Sequence, residues 1–227
     1  PVQNTWFGAL GSAALKIDQI MTAQIENQMT AFPGQRIGLL GGSFNPAHDG
    51  HLHISNLALE RLNLDCVWWL VSQQNPMKST EGMASLDQRM EKAREVAGNR
   101  RIMVTDIERE LGTQYTADTL PALQKKFSGG HFVWLMGADN LAQIEQWHEW
   151  KNIFMALPVA IFARPAYSKE AESAKAVSHF APYRVSEDNV LTLADMKPPA
   201  WAFLKTPLNS ISATEIRSQS NEDWMNK

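Results

Sequence analysis

Two histidines spaced three apart, His48 and His51, stand just beyond an apolar run that ends in a glycine pair, Gly41 and Gly42. The stretch reads Arg36-Ile-Gly-Leu-Leu-Gly-Gly-Ser-Phe-Asn-Pro-Ala-His-Asp-Gly-His51. Residues 37–40 have the composition of a short buried strand, Pro46 marks a turn, and a helix is expected from about Asp49. These are parts for holding phosphate. Glycines let the backbone come close to a ligand. A helix start offers unpaired N–H groups and a partial positive charge. Imidazoles add donors that can carry full charge. A second run, Ile211-Ser212-Ala213-Thr214-Glu215-Ile216-Arg217, sets Ser212 and Glu215 at capping-box spacing, with Arg217 one turn into the helix. Each run has a plainer reading when taken alone. The first could be a strand-to-helix turn with surface histidines, the second a well-capped terminal helix with a solvated arginine.

The elements that must position these groups alternate along the chain. Strands are expected at 37–40, Cys66–Val71, 101–105, 132–136, 159–163 and, less firmly patterned, 201–206. Helices are expected at 49–62, 85–98, 117–127, 144–156 and 213–220. The second of these has Ser85 and Gln88 at capping-box spacing and Gly98 as a C-terminal stop. Apolar strands alternating with helices predict an α/β fold, a doubly wound parallel sheet covered on both faces. Ligands of such sheets bind beyond the strand C-termini at the switch point. The turns after the expected strands would gather there. Residues 1–35 fit a helix only loosely and read as an appendage, packed on the domain or a partner subunit, or as a disordered leader. Residues 36–227 read as one domain, with 167–195 polar and irregular, an insertion or a lid.

Composition narrows the function classes. A net charge of −3 with no basic run argues against bulk nucleic-acid binding. No apolar stretch reaches the roughly 18 residues of a membrane span. The first residues lack the pattern of a signal peptide. The single cysteine, Cys66, rules out an intrachain disulfide and suits a reducing, cytoplasmic setting.

The first run carries the pattern G-x-F-x-P-x-H-x-G-H, and the second I-S-x-T-x-I-R, about 160 residues later. Both match signatures of the nucleotidyltransferase superfamily. The middle of the chain closely resembles the bacterial nicotinate-nucleotide adenylyltransferases. That likeness runs from about Arg36 to Arg217 and rests on Tyr115-Thr-Ala-Asp-Thr-Leu120, Gly137-Ala-Asp-Asn-Leu141 and Gln146-Trp-His-Glu-Trp150. The resemblance implies a Rossmann-like nucleotidyltransferase fold. It implies an ATP site formed by Gly41, Gly42, Ser43, Phe44, His48, His51, Gly137, Asp139, Ser212, Thr214, Arg217 and Lys78. It also implies that Tyr115, Thr116, Trp147 and Arg164 hold nicotinate mononucleotide, with Trp147 stacked on the pyridine ring. His48, His51 and Arg217 would be catalytic, with Mg²⁺ accompanying ATP. The plain alternatives are an N-cap role for Asp139, a solvated Lys78, an ordinary capped helix at Tyr115-Thr116, and core packing for Trp147 and Trp150 on one helix face. The chain departs from the family in Ser43 and Asn45, where Thr and Asp are commoner, and in Ala166, where the Arg-Pro-Gly-Tyr turn has glycine.

The reaction so implied is transfer of AMP from ATP to nicotinate mononucleotide, giving deamido-NAD and pyrophosphate for NAD biosynthesis. Nicotinamide mononucleotide or another small phosphate is the nearest alternative acceptor. A metallohydrolase built on His48, His51 and His53, or a nucleotide-binding module without catalysis, are rivals of other classes. The sequence leaves monomer and homo-oligomer both open.

Overall fold

The computed structural model describes residues 29–73, 82–164 and 167–205. Expectations for the N-terminal stretch, for Lys78, for Ser212, Thr214 and Arg217, and for the helix at 213–220 therefore lie outside the described residues. The chain separates into two compact units, Pro1–Ala31 and Phe32–Lys227, and the description below concerns the second.

Among the described residues, six strands form one sheet in the order β3-β2-β1-β4-β5-β6. They are β1 (Arg36–Gly42), β2 (Cys66–Val71), β3 (Ile102–Thr105), β4 (His131–Gly137), β5 (Val159–Phe162) and β6 (Trp201–Leu204). Every neighbouring pair is parallel. The order reverses between β1 and β4, as a doubly wound sheet requires. The helices between the strands are α1 (Asp49–Arg61), α2 (Leu86–Ala97), α3 (Ile107–Leu111), α4 (Thr116–Lys126), α5 (Ala138–Ala142), α6 (Trp150–Ala156), α7 (Ser168–Glu172) and α8 (Lys175–His179). The Rossmann-like α/β fold expected from the pattern is the one observed.

The strands are buried on both faces, which explains their unbroken apolar runs. Leu40, Trp69, Val71, Leu135, Phe162 and Leu204 pack with Ala58 of α1, Leu62 just after it, Met90 and Ala93 of α2, and Val190 and Leu193. Alternate residues such as Leu39, Trp68 and Trp134 are also buried, and the Trp68 ring meets Phe127 at the end of α4 edge-on, 5.2 Å between centroids.

Local chemistry set several boundaries as expected. Ser85 and Gln88 form a reciprocal capping box at the start of α2, and Gly98 closes it in the left-handed conformation at φ 51°. Two expectations need correction. Residues 144–156 are not one helix. A 3-10 turn at Ile144–Gln146 ends in an extended Trp147, and Glu149 takes a positive φ of 46° before α6 begins at Trp150. Trp147 and Trp150 therefore do not share a helix face. Residues 167–195 are not an irregular lid. They are the crossover from β5 to β6, and Val190, Leu193 and Ala194 are buried in the main core. Asp195, at the end of this crossover, clasps the N-terminal edge of the sheet. It accepts from Arg36 at 2.6 Å and contacts His131 at 2.7 Å, and the Arg36 hydrogen bond is the main cause holding its carboxyl below the usual range. Helices α3 and α5 were not expected from the pattern. Each has five residues, too few for a clear 3.6 period.

Candidate active site

The C-terminal ends of β1 and β4 lie side by side at the point where strand order reverses. Beyond β1 the chain turns sharply through Ser43, Phe44 and Asn45 into α1. Phe44 has φ 46°, a backbone state that costs a side-chain-bearing residue on the order of 1–3 kcal/mol. Packing holds it there. The ring is 1% exposed, stacks on Trp69 at 5.0 Å and leans on His51 at 4.5 Å. Asn45 is buried and ties the turn to a distant segment. Its Nδ2 donates to the Gly82 carbonyl at 3.3 Å, and its Oδ1 accepts from the Ala84 N–H at 3.1 Å.

The two histidines cap α1. His48 is the N-cap residue, and its Nδ1 accepts the Gly50 N–H at 3.0 Å. His51 reaches back, and its Nδ1 accepts the His48 N–H at 3.2 Å. A capping box made by two imidazoles fixes both rotamers. It also fixes the tautomer. A ring nitrogen that accepts a backbone N–H carries no proton, so the proton of each neutral ring sits on Nε2. The rings lie 3.9 Å apart between centroids. His48 is buried at 6% exposure, not the surface residue that its plain reading suggested. A relay from β2 anchors the same turn. The Trp69 indole donates to the Ser55 hydroxyl at 2.7 Å, and that hydroxyl donates to the His51 carbonyl at 2.8 Å.

The glycines are needed for space. A Cβ on Gly41 would strike the buried Trp134 ring of β4, and one on Gly137 would strike the Asp139 carboxylate. Asp139 is not the N-cap of α5, a position held by Gly137. Instead its Oδ2 accepts from Arg164, just past β5, at 3.1 Å. This pair joins two groups expected to serve different substrates. On the β3 side, Tyr115 is the N-cap residue of α4 and Thr116 its first residue, with no side-chain cap of the first turn. The Tyr115 ring is exposed and lies 4.4 Å from the His148 ring. That contact brings the Trp147 segment to the open N-terminus of α4, with Trp147 half-buried.

Three residues near the site escaped sequence reasoning. Arg89 is buried and donates to four carbonyls, among them Ser43. His148 faces Tyr115. Glu108 of α3 is buried, and burial pushes its carboxyl up to about 7. Only His148 lay inside a motif. Among the described residues no group of three or more His, Cys, Asp or Glu side chains is placed to hold a metal ion. No helix among them is long and apolar enough to cross a membrane.

A cytidylyltransferase-like family model matches residues 39–219. A protein of Parvibaculum lavamentivorans named "probable nicotinate-nucleotide adenylyltransferase" is 48% identical over 187 residues, 82% of this chain and 93% of its own length. The chain belongs to the nicotinate-nucleotide adenylyltransferase family. A second member, from Methylorubrum extorquens, bears the same name and is 48% identical across 81% of this chain and all of its own length. The family's resemblance to the motifs around His48 and Tyr115 is thus upheld, and the chain is a nucleotidyltransferase. A solved structure from Plasmodium falciparum, a nicotinic acid mononucleotide adenylyltransferase complexed with NaAD, superposes with a TM-score of 0.60 over 81% of this chain and 83% of that one. At 18% identity it shows the shared fold.

Proposed function

We propose that the chain transfers AMP from ATP to nicotinate mononucleotide, releasing pyrophosphate and forming deamido-NAD. The observation that carries this reading is the imidazole capping box. It fixes two imidazoles at a helix start, where a phosphate would be bound by N–H groups and the helix dipole. The acceptor's 5′-phosphate attacks the α-phosphorus of ATP, a new P–O bond forms, and the bond to the β-phosphate oxygen breaks. The nucleophile is already an anion, so no general base is needed. The barrier lies in aligning two anions and holding charge as it builds on the leaving group. His48 and His51 hold the α-phosphate and the leaving pyrophosphate. Ser212, Thr214 and Arg217 hold the outer phosphates, and Lys78 assists them. No covalent intermediate is required. The lone cysteine supports this. Cys66 starts β2, at the N-terminal end of the strand and so away from the site, and burial pushes its thiol up to about 11.

Selection of the acceptor falls to the other half. The free N–H groups at the start of α4 suit the nicotinate carboxylate, and the Trp147 indole suits the flat pyridine ring. Mg²⁺ would arrive on the triphosphate. The donor set fits this, since Asp139 supplies one carboxylate where a resident ion would need several. When bound, it would neutralise phosphate charge. The substrates are small molecules, and a cytoplasmic setting suits both. The test is direct. Purified protein with Mg²⁺ and ATP should release pyrophosphate when nicotinate mononucleotide is added, and EDTA should stop it. Release that is independent of the added mononucleotide would defeat the proposal.

A further inference from the structure

Arg89 sits on α2, outside every recognised motif, yet it is 1% exposed. Its guanidinium is spent on main-chain carbonyls. Nε donates to Ala84 at 3.1 Å, Nη1 to Ser43 at 2.6 Å and to Ser72 at 2.8 Å, and Nη2 to Gln73 at 2.9 Å. Those acceptors come from three places: the turn after β1, the end of β2, and the approach to α2. Asn45 makes a parallel link from the same turn to Gly82 and Ala84. Arg89 thus joins the histidine-bearing turn to the neighbouring chain on both sides of residues 74–81.

Its charge is the second observation. No ion pair among the described residues includes Arg89. A buried guanidinium is ordinarily matched by a carboxylate, because an uncompensated charge is costly to desolvate. Here carbonyl dipoles solvate it, but they do not cancel its net charge. Burial pulls its proton affinity down, yet an arginine stays charged at any working pH. Among the described residues no carboxylate pairs this charge, which lies one hydrogen bond behind Ser43, the residue before the strained Phe44.

We propose that Arg89 is a positioning residue for the triphosphate site, fixing the turn through Ser43 and lending it a positive charge that no described carboxylate pairs. It touches neither substrate and acts through the turn. A field that is built in before the substrate arrives needs no reorganisation during the reaction. In a site shielded from water, such a charge acts over several ångströms. A triphosphate gains most from it, and a mononucleotide held at the start of α4 gains little. The inference rests on the phosphate-site reading above.

The experiment compares R89K and R89M with the wild type, using inorganic tripolyphosphate as the probe of the site. Wild-type binding by calorimetry is measured first, and its absence would overturn the phosphate-site reading and this inference with it. R89K keeps the charge but loses the fork; R89M loses both. The expected pattern is a fall in kcat/KM for ATP of about tenfold in R89K and about a hundredfold in R89M. Tripolyphosphate affinity should fall in the same order, while KM for nicotinate mononucleotide stays within about twofold. A third variant, R89A, leaves space for the lost group, and guanidinium salt should partly restore its kcat/KM for ATP. A merely structural role would lower the melting temperature of both variants and leave the ATP and mononucleotide constants moving together, and that result overturns the proposal. Equal losses in R89K and R89M overturn the electrostatic half. If R89M does not fold, R89K decides alone: unchanged tripolyphosphate affinity and turnover refute the role, and a selective loss upholds it.

Discussion

The two halves of the site are built in opposite ways. The turn from Gly41 to His51 is locked from every side. Its aromatic ring is buried, its backbone is held in a costly conformation, its histidines cap each other, a relay through Ser55 links it to β2, and Arg89 of α2 donates to it. The half around Tyr115, Thr116 and Trp147 is open. Tyr115 and His148 are exposed, the first turn of α4 has no side-chain cap, and Trp147 sits in an extended linker between a 3-10 turn and α6. The contrast suits the proposed division of labour. Charge stabilisation in a transition state demands donors fixed in advance. Recognition of a flat ring and a carboxylate demands surfaces that a substrate can still reach. The rigid half should govern turnover, and the open half should govern the choice of acceptor.

The largest expected effect tests the rigid half. His51→Ala removes one Nε2 donor and the back half of the capping box. It should lower kcat roughly 10²- to 10³-fold, the scale seen when a preorganised donor is lost. A folded His51→Ala protein with near-full turnover would break the assignment. Trp147→Ala probes the open half. Loss of a stacking platform is worth about 1–3 kcal/mol, so KM for nicotinate mononucleotide should rise about tenfold or more while KM for ATP holds. If both constants move together, the halves are not separate.

A smaller effect concerns packing. Gly41→Ala drives a methyl group into the Trp134 ring, which is 2% exposed and has no room to withdraw. Overpacking of this kind costs about 1–3 kcal/mol, to be read as a lower denaturation midpoint. Gly112→Ala, where a Cβ meets open space, should lose less, through its positive φ of 66° alone.

A further effect depends on pH. Burial raises the folded-state Glu108 carboxyl to about 7, above its ordinary value of 4.5. Both states are protonated below the unfolded value, so nothing is lost there. Between the two values the folded state binds more protons than the unfolded one, and stability falls as pH rises through the folded value. Glu108→Gln should therefore raise the melting temperature at pH 8.5 and change it little at pH 4.5. An equal shift at both pH values would show that Glu108 is not held protonated by its surroundings.

How much of this could be read from the chain depended on the range of the interaction. The capping box at Ser85 and Gln88 and the stop at Gly98 are decided within a few residues, and they stand where the sequence placed them. The six strands were legible because both faces are buried and each run is apolar throughout. The break at Trp147 was not legible. Glu149 takes a left-handed backbone without glycine or asparagine to announce it. The 167–195 crossover looked polar because few of its residues face the core, though Val190 and Leu193 do. Arg89 was invisible for a related reason. Its meaning lies in carbonyls at Ser43, Ser72 and Gln73, which have no residue type to betray them. The histidines were legible as a motif, but their mutual capping was not. Imidazoles rarely take the place of the Ser and Glu that a capping box usually employs.

The most direct test of the account is the ratio of kcat/KM for nicotinate mononucleotide to that for nicotinamide mononucleotide, measured with saturating Mg²⁺ and ATP by pyrophosphate release. A carboxylate received by the N–H groups at the start of α4 should make the ratio well above ten, since a donor left facing a neutral amide loses a charge-assisted bond. A ratio near one, or below it, would contradict the assignment of Tyr115, Thr116 and Trp147 as the acceptor site.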